Sequence, residues 1–186
     1  RLDDAVKLIR GKKGTVVTLT VKKLNGSIQD IAITRDIVLL EETYAKSVIV
    51  ENELGKKVGY IRLPKFYADF NRNGGRASAE DVRLELEKLK AEGIDGVVLD
   101  LRGNGGGSLK DAIDMTGHFI KTGPVVQVKG RYSKAEVMSD RNNAVTYDGP
   151  LVVMTNHFSA SASEILAAAI QDYDRGIILG ASSSFG

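Results

Sequence analysis

The second half of the chain alternates between two hydrophobic patterns. Between 79 and 92, Val82, Leu86 and Leu89 share one face of a segment whose other positions are mostly charged, which predicts an amphipathic helix. Short apolar runs bounded by glycine, proline or polar residues are typical of buried strands, and they occur at 96–101, 151–154 and 177–179. Further helices are predicted after the first two runs, at 109–120 and 165–170. Because helix and strand alternate, this half predicts a parallel-rich α/β core.

The first part of the chain follows a different pattern. Apolar residues on one helical face predict a helix over 2–10, which Gly11 ends. The β-branched run 15–21 predicts a strand. Asn25-Gly26 is a strong signal for a hairpin turn, and it precedes a second predicted strand over 27–34.

Between these two parts the pattern is less regular. It predicts a connector over 36–47 and two strands, 47–50 and 58–63, around a polar turn. Later, it predicts a region of mixed strand and loop over 125–128 and 132–147. Phe66, Tyr67 and Phe70 form an aromatic group with two interpretations, since they could line a peptide cleft or belong to the hydrophobic core.

Composition excludes several classes of function. The 186 residues carry 26 basic and 24 acidic side chains, and both signs are spread along the chain, so no basic stripe indicates nucleic-acid binding. The absence of cysteine excludes disulfides and thiolate metal ligands, and it suits an exported bacterial protein. No apolar run approaches the ~20 residues of a transmembrane segment. The chain lacks a start methionine and a signal peptide, so we expect a fragment of a longer protein.

Three serines follow the predicted strand 151–154. A serine between a strand and a helix lies where free backbone N–H groups and the positive helix end can stabilise an alkoxide or an oxyanion. Ser161 with Glu164 also fits a capping box, which requires no catalysis. The spacing does not distinguish Ser159, Ser161 and Ser163 as nucleophiles.

A glycine run follows the predicted strand 96–101. Gly105, Gly106 and Gly107 lack the spacing of a nucleotide phosphate loop, so nucleotide binding is not expected. Two interpretations stay open: an oxyanion hole, in which glycine lets backbone N–H groups approach a reaction intermediate, and a tight turn that needs positive φ.

Four stretches resemble the carboxy-terminal processing proteases, also called tail-specific proteases, and they come in that family's order. They are 100–107 (DLRGNGGG), 158–165 (FSASASEI), 171–173 (QDY) and 184–186 (SFG). The resemblance implies an α/β fold with the βαβ spiral of Clp protease and crotonase over 41–186. It implies the C-terminal half of a PDZ domain over 1–40. The pattern alone does not separate the spiral from a doubly wound sheet, or the half-domain from a generic α+β unit.

The same resemblance implies roles for individual residues. Ser161 is the nucleophile, and the oxyanion donors are Ala162 with Gly106 or Gly107. The general base of the family is a lysine in a Phe-Gly-Lys-Gly motif. This chain matches that motif up to Gly186, so we expect the lysine beyond Gly186.

The remaining polar residues have alternative interpretations. Asp172 matches an aspartate sometimes assigned to the catalytic relay, but a straight helix would place it about 16 Å from Ser161. We therefore expect Asp172 to pair with Arg175 or Arg102. Arg102 could also anchor the glycine turn or be a surface charge. Glu164 is expected to cap the helix.

Two histidines offer a different general base. His157 lies close to Ser161 in sequence, so a Ser–His pair is an alternative to the lysine. His118 falls in the helix predicted over 109–120, where it is expected to cap or pack.

The sequence therefore predicts a serine endopeptidase that cleaves protein substrates recognised near their C-termini through an acyl-enzyme. We expect a protein or peptide partner, no nucleic acid, no transmembrane segment, no cofactor and no metal, in the periplasm or cell envelope of a bacterium. The fragment alone is expected to be inactive. The alternatives are a non-catalytic binding protein on the same scaffold and a Ser–His hydrolase that uses His157.

Overall fold

The computed structural model of this protein describes residues 2–36, 41–68 and 75–186. Contacts between residues divide the chain into two compact units, 1–40 and 41–186. No helix in the described part of the chain combines the length and apolar character that a membrane span requires.

In the described residues 2–36 of the first unit, the chain forms one helix and one β-hairpin: α1 (Leu2–Ile9), β1 (Val16–Lys22) and β2 (Ile28–Thr34). Gly26 in the hairpin turn has φ 84°, a conformation that favours glycine. Arg35 ties the hairpin to the helix, because its guanidinium donates to the carbonyl of Ile9 at 2.7 Å and to that of Leu8 at 3.0 Å. The predicted order of helix, strand, turn and strand is confirmed. The PDZ assignment stays a prediction.

Among the described residues, the second unit contains a short 3₁₀ helix (Glu41–Thr43), seven further strands and three α-helices. In chain order the strands and α-helices are β3 (Lys46–Glu51), β4 (Lys57–Arg62), α2 (Ser78–Ala91), β5 (Gly96–Asp100), α3 (Leu109–Thr116), β6 (Gly123–Val128), β7 (Glu136–Asp140), β8 (Leu151–Met154), α4 (Ala162–Asp172) and β9 (Ile177–Leu179). Five strands form one sheet in the order β3-β4-β5-β8-β9, in which only β3 is antiparallel to its neighbour. β6 and β7 form a separate antiparallel pair. The predicted parallel-rich α/β core is confirmed.

One face of the sheet packs against the helices. The core contains fully buried aliphatic residues from the strands and from α2: Ile61, Leu99, Val153, Val82, Leu86 and Leu89. Burying one such side chain contributes about 1.5–3 kcal/mol. Val98 and Val152, which point to the other face of β5 and β8, are only half-buried. A doubly wound sheet would cover both faces with helices, so the described helices favour a one-sided arrangement.

One predicted helix ends earlier in the structure than the sequence pattern indicated. α3 ends at Thr116 and is capped by Gly117, whereas the apolar pattern predicted a helix as far as 120. The pattern continued because Phe119 and Ile120 are buried in the core after the helix has ended.

The structure distinguishes the two interpretations of the aromatic group for part of that group. Phe66 is 1% exposed and belongs to the hydrophobic core, and Tyr67 packs against that core. The core interpretation is therefore correct for Phe66. Phe70 lies outside the described residues.

The carboxyl ends of β4, β5 and β8 lie at the same edge of the sheet, because these strands are parallel neighbours. The glycine turn follows β5 and the serine segment follows β8. Phe66 joins this edge from the β4 side: its N–H donates to the carbonyl of Gly106 at 3.0 Å, and its carbonyl accepts the N–H of Ser108 at 2.8 Å. Topology alone therefore brings the glycine turn and the serine turn together.

Candidate active site

Ser161 lies in a strained turn between β8 and α4. Its backbone has φ 56° and ψ −114°, a conformation that costs a serine roughly 1–3 kcal/mol unless the surroundings fix it. The residue is exposed and stands immediately before the first residue of α4. The turn therefore presents a hydroxyl to solvent at the positive end of a helix.

The structure separates the three serines that sequence spacing could not distinguish. Ser159 is buried, and its Oγ donates to the carbonyl of Leu101 at 2.8 Å. Ser163 is also buried, and its Oγ donates to the carbonyl of Asn104 at 2.9 Å. Ser161 Oγ donates no hydrogen bond within the part of the chain that is described. Ser159 and Ser163 therefore stabilise the turn, and the hydroxyl hydrogen of Ser161 is not committed to an acceptor among the described residues.

Glu164 forms the predicted capping box with Ser161 and makes further contacts. One carboxylate oxygen accepts the backbone N–H of Ser161 at 2.6 Å. The other accepts the hydroxyl of Ser184 at 2.6 Å and the N–H of Gly186 at 3.1 Å. The hydrogen bond from Ser184 is the main cause that lowers the pKa of Glu164, so the carboxylate is charged at neutral pH. Residues 184–186 are thus held beside the serine turn.

The glycine turn packs directly against the serine turn. Gly106 has φ 96°, and a Cβ added to it would come within 2.8 Å of the carbonyl oxygen of Ala160 and of Ser161 Cβ. Gly107 has φ 143°, and a Cβ there would collide with the carbonyl oxygen of Phe66. Both positions therefore require glycine for two reasons, positive φ and lack of space.

Backbone N–H groups in the two turns differ in their availability. The N–H of Gly106 already donates to Asn104 Oδ1 at 2.9 Å. Those of Gly107 and Ala162 have no acceptor among the described residues, and the N–H of Ser161 is taken by Glu164. Of the two glycines left open by the sequence, the geometry favours Gly107 as the partner of Ala162 in an oxyanion hole.

Arg102 binds the end of β5. Its guanidinium donates two hydrogen bonds of 2.9 Å to the carboxylate of Asp100, and the hydroxyl of Tyr60 donates to the same carboxylate. Burial opposes the charge on Asp100, but the bonds from Arg102 and Tyr60 outweigh it and lower the pKa of Asp100. The Oδ1 of Asn156 adds a bond of 3.0 Å to the N–H of Gly103. Arg102 therefore pairs with Asp100 at the end of β5, and its role as an anchor of the glycine turn stays a prediction.

Asp172 does not pair as expected. It is exposed at the last residue of α4, and its side chain has no hydrogen bond or ion pair within the described chain. Arg102 is occupied by Asp100, and Arg175 donates instead to the carbonyls of Phe119 and Gly149. The predicted pairing with either arginine is wrong, because both guanidiniums are used to tie loops to the core.

The two histidines occupy different environments. His157 is exposed, and its ring packs edge-on against Phe158. His118 follows the end of α3, where Nε2 lies 2.8 Å from the carbonyl of Ala79 and Nδ1 lies 3.3 Å from the hydroxyl of Thr146. Burial is the main cause that lowers the pKa of His118. His118 therefore has the packing role that the sequence predicted.

Sequence reasoning missed two asparagines in this region. Asn104 is fully buried and bonds to both turns. Asn156 accepts the N–H groups of Gly103 and Phe158, each at 3.0 Å. The only available signal was a polar residue inside each of two turns that follow buried strands. Among the described residues, no three histidine or carboxylate side chains converge in a way that could hold a metal ion.

The sequence of the chain is similar to those of known peptidases. Residues 57–186 match the model of peptidase family S41. The chain is 43% identical over 187 residues to a tail-specific protease of Haemophilus influenzae, with coverage of 100% of this chain and 26% of that protein. It is 38% identical over 180 residues to a carboxyl-terminal-processing protease of Picosynechococcus, with coverage of 96% and 41%.

A solved structure shares the fold. The photosystem II D1 C-terminal processing protease superposes with a TM-score of 0.65 at 24% identity, with coverage of 95% of this chain and 46% of that one. The chain thus spans less than half the length of these relatives. Its sequence, its fold and the arrangement around Ser161 lead to one conclusion: the chain belongs to peptidase family S41.

Proposed function

We propose that this chain carries the nucleophile and oxyanion hole of a serine endopeptidase that cleaves protein substrates near their C-termini. The observation that carries the proposal is the strained, exposed turn at Ser161, packed against a glycine turn that leaves the N–H of Gly107 free. Its relatives in Haemophilus and Picosynechococcus are named as tail-specific and carboxyl-terminal-processing proteases.

The chemistry follows from these groups. Ser161 Oγ attacks the carbonyl carbon of the scissile peptide, and its proton passes to a general base. The N–H groups of Gly107 and Ala162 donate to the oxyanion of the tetrahedral intermediate. Collapse of the intermediate expels the amine, which takes up the proton from the base, and leaves an acyl-enzyme on Ser161. Water activated by the same base then releases the acid product.

The general base in this proposal is a lysine that follows Gly186. The backbone N–H groups of Gly186 and Ser161 both donate to the carboxylate of Glu164. The residue that follows Gly186 would therefore start close to the nucleophile. A lysine held there out of water would have its pKa lowered, and its neutral amine could accept the serine proton. Exposed His157 makes no hydrogen bond to Ser161 in the described chain; its ring packs against Phe158.

Substrate recognition and location complete the proposal. The helix and hairpin of 2–36 would form the C-terminal half of a PDZ domain, which binds peptide C-termini by adding them to a sheet edge. We place the whole protein in the periplasm or cell envelope of a bacterium, in line with the resemblance and with a chain that has no cysteine. Asp172 could have a supporting role only through other residues, since the length of α4 separates it from Ser161.

Serine substitutions test the nucleophile. In the full-length protein, Ser161→Ala should abolish cleavage of an unfolded substrate, because the attacking oxygen is lost. Ser159→Ala and Ser163→Ala are matched controls that should keep measurable turnover, since they remove mainly bonds to backbone groups: those of Leu101 and Asn156 for Ser159, and that of Asn104 for Ser163. Cleavage can be followed by mass spectrometry of the fragments. Normal cleavage by Ser161→Ala would reject the proposal in favour of a non-catalytic binding protein or another nucleophile.

A further inference from the structure

Asn104 has a fully buried side chain whose amide is bonded at both ends. Its Nδ2 donates to the carbonyl of Leu63 at 2.8 Å, and its Oδ1 accepts the N–H of Gly106 at 2.9 Å. Leaving a buried amide unpaired costs about 1–3 kcal/mol, so the two bonds fix the side chain in one orientation. The side chain thus connects the segment after β4 to the glycine turn.

The backbone of the same residue holds the serine turn. The carbonyl of Asn104 accepts the N–H of Ala160 at 3.0 Å and the hydroxyl of Ser163 at 2.9 Å. These two residues flank Ser161. One buried residue therefore bonds to the residue after β4, to the glycine turn and to both sides of the nucleophile.

We propose that Asn104 is a positioning residue for the oxyanion hole. By accepting the N–H of Gly106, it fixes the peptide plane between Gly105 and Gly106, one residue before Gly107, and leaves the N–H of Gly107 available to the substrate. By bonding Ala160 and Ser163, it sets the distance from that N–H to Ser161. This role rests on the proposed function, because it concerns the same hydrolytic site.

Only an asparagine meets these requirements at neutral pH. The carbonyl of Leu63 needs a donor, and the N–H of Gly106 needs an acceptor, on the same short planar side chain. An aspartate would place a charged oxygen against the Leu63 carbonyl. Oxyanion donors must lie about 2.7–3.1 Å from the developing charge, so a small shift of either turn weakens the stabilisation.

Replacement by alanine gives the first test in the full-length protein. Asn104→Ala should lower kcat by about 10²–10³-fold, the scale of losing one oxyanion donor, with KM changed by no more than a few-fold. A peptidyl boronate, which forms a tetrahedral anion on serine, should lose affinity in parallel. Ser78→Ala is the matched control, because it removes a buried bond to Asp111 away from Ser161 and should leave kcat unchanged. An unchanged kcat in Asn104→Ala would overturn the proposal.

Replacement by aspartate gives a pH signature that general destabilisation would not produce. A protonated carboxyl can donate to Leu63 and accept from Gly106 as the amide does, and burial raises the pKa of such a carboxyl. The ratio of kcat for Asn104→Asp to kcat for the wild type should therefore rise as pH falls. A ratio that stays flat or falls would contradict the proposed role.

The wild-type protein provides a test that needs no folded variant. Amide exchange followed by NMR should be slow at Gly106 and fast at Gly107, and the boronate should shift the amides of Gly107 and Ala162 but not that of Gly106. Rapid exchange at Gly106, or a boronate shift there in place of Gly107, would refute the role of Asn104. Such a result would leave the function intact if Ser161→Ala is still inactive, so the two failures are distinguishable.

Discussion

At the scale of single residues, the carboxylate of Glu164 links the nucleophile to the end of the described chain. It accepts bonds from Ser161, Ser184 and Gly186, and three donors on one carboxylate suit a charged group that has no proton of its own. A glutamine of the same size would turn an N–H₂ group towards one of these donors. The segment that leads to the proposed lysine should then lose its attachment.

We expect Glu164→Gln to reduce kcat of the full-length protein by about 10–100-fold, because hydrogen bonds to a charged group are worth about 1.5–3 kcal/mol. Amide exchange at Gly186 should become faster. Glu87→Gln is the matched control, since Glu87 pairs with Arg83 on the exposed surface of α2. Unchanged kcat together with unchanged exchange at Gly186 would show that the carboxylate is only a helix cap.

His157 tests the competing general base. It is exposed and packs against Phe158, so His157→Ala should change peptidase activity only modestly, through the loss of that packing. If His157 were a member of a catalytic triad, its removal would instead lower the activity by about 10⁴-fold. Initial rates on a fluorogenic peptide separate the two cases. A loss of that size would restore the Ser–His mechanism and remove the need for a lysine.

Residues differ in how far the sequence could predict their roles. The motif around Ser161 pointed to one serine, and the structure supplies the physical difference: its neighbours two positions away on either side are buried and bonded to carbonyls. Asn104 escaped notice because its partners lie far along the chain, at Leu63 and Ser163. The pairing predicted for Asp172 failed for the same reason, since the partners of an arginine depend on distant loops.

At the scale of elements, His118 joins two helices and a loop. It stands after α3 and bonds to the carbonyl of Ala79, in the first turn of α2, and to Thr146. The distances fit a neutral ring in which Nε2–H donates and Nδ1 accepts. Burial lowers the pKa of His118, and Arg83 adds to that effect while Asp114 and Glu80 oppose it.

The lowered pKa predicts a pH dependence of stability. In the unfolded chain, His118 takes up a proton near the ordinary histidine pKa of about 6.5, whereas in the folded chain it stays neutral to lower pH. The unfolded state therefore binds more protons than the folded state in this range. The free energy of unfolding should therefore fall as pH drops below about 6.5, and level off below the folded pKa. Urea unfolding between about pH 7.5 and about pH 5 measures it.

His118→Gln should remove this part of the slope, because glutamine does not titrate. His157→Gln, which changes an exposed ring, is the matched control and should keep the slope. If the free energy of unfolding depends on pH in the same way in the wild type and in His118→Gln, other groups control this dependence. The assignment of a neutral ring to His118 would then be wrong.

Elements with a strong local signal were predicted well. α2 has a clear apolar face and matches its prediction within one residue at each end, 78–91 against 79–92. The end of α3 was missed because Phe119 and Ile120 are apolar for a tertiary reason, namely contact with the core. The one-sided packing of helices on the sheet could not be predicted from pattern, since alternating helices and strands are compatible with either arrangement.

At the scale of the whole molecule, the chain brings together the proposed nucleophile and the proposed oxyanion donors, whereas the proposed base follows Gly186. An unassisted serine hydroxyl is a weak nucleophile near neutral pH, because almost none of it is ionised. The oxyanion hole and substrate binding alone leave residual catalysis of about 10³–10⁴ over water, too little for an ordinary peptidase assay. The attachment of 184–186 to Glu164 and Ser159 holds the chain in place up to the position where the base is needed.

We therefore expect a protein that ends at Gly186 to be inert, and one extended through the proposed Lys-Gly segment after Gly186 to cleave an unfolded substrate. An extended form in which that lysine is replaced by alanine is the matched control, and it should be as inactive as the truncated form. Circular dichroism melting checks that all three proteins are folded, and mass spectrometry detects the fragments. A fluorophosphonate probe should label Ser161 far more slowly in the two forms without the lysine, because labelling requires the same proton transfer. Equal cleavage by the truncated and extended proteins would reject the serine–lysine mechanism, since the shorter protein contains every other proposed group.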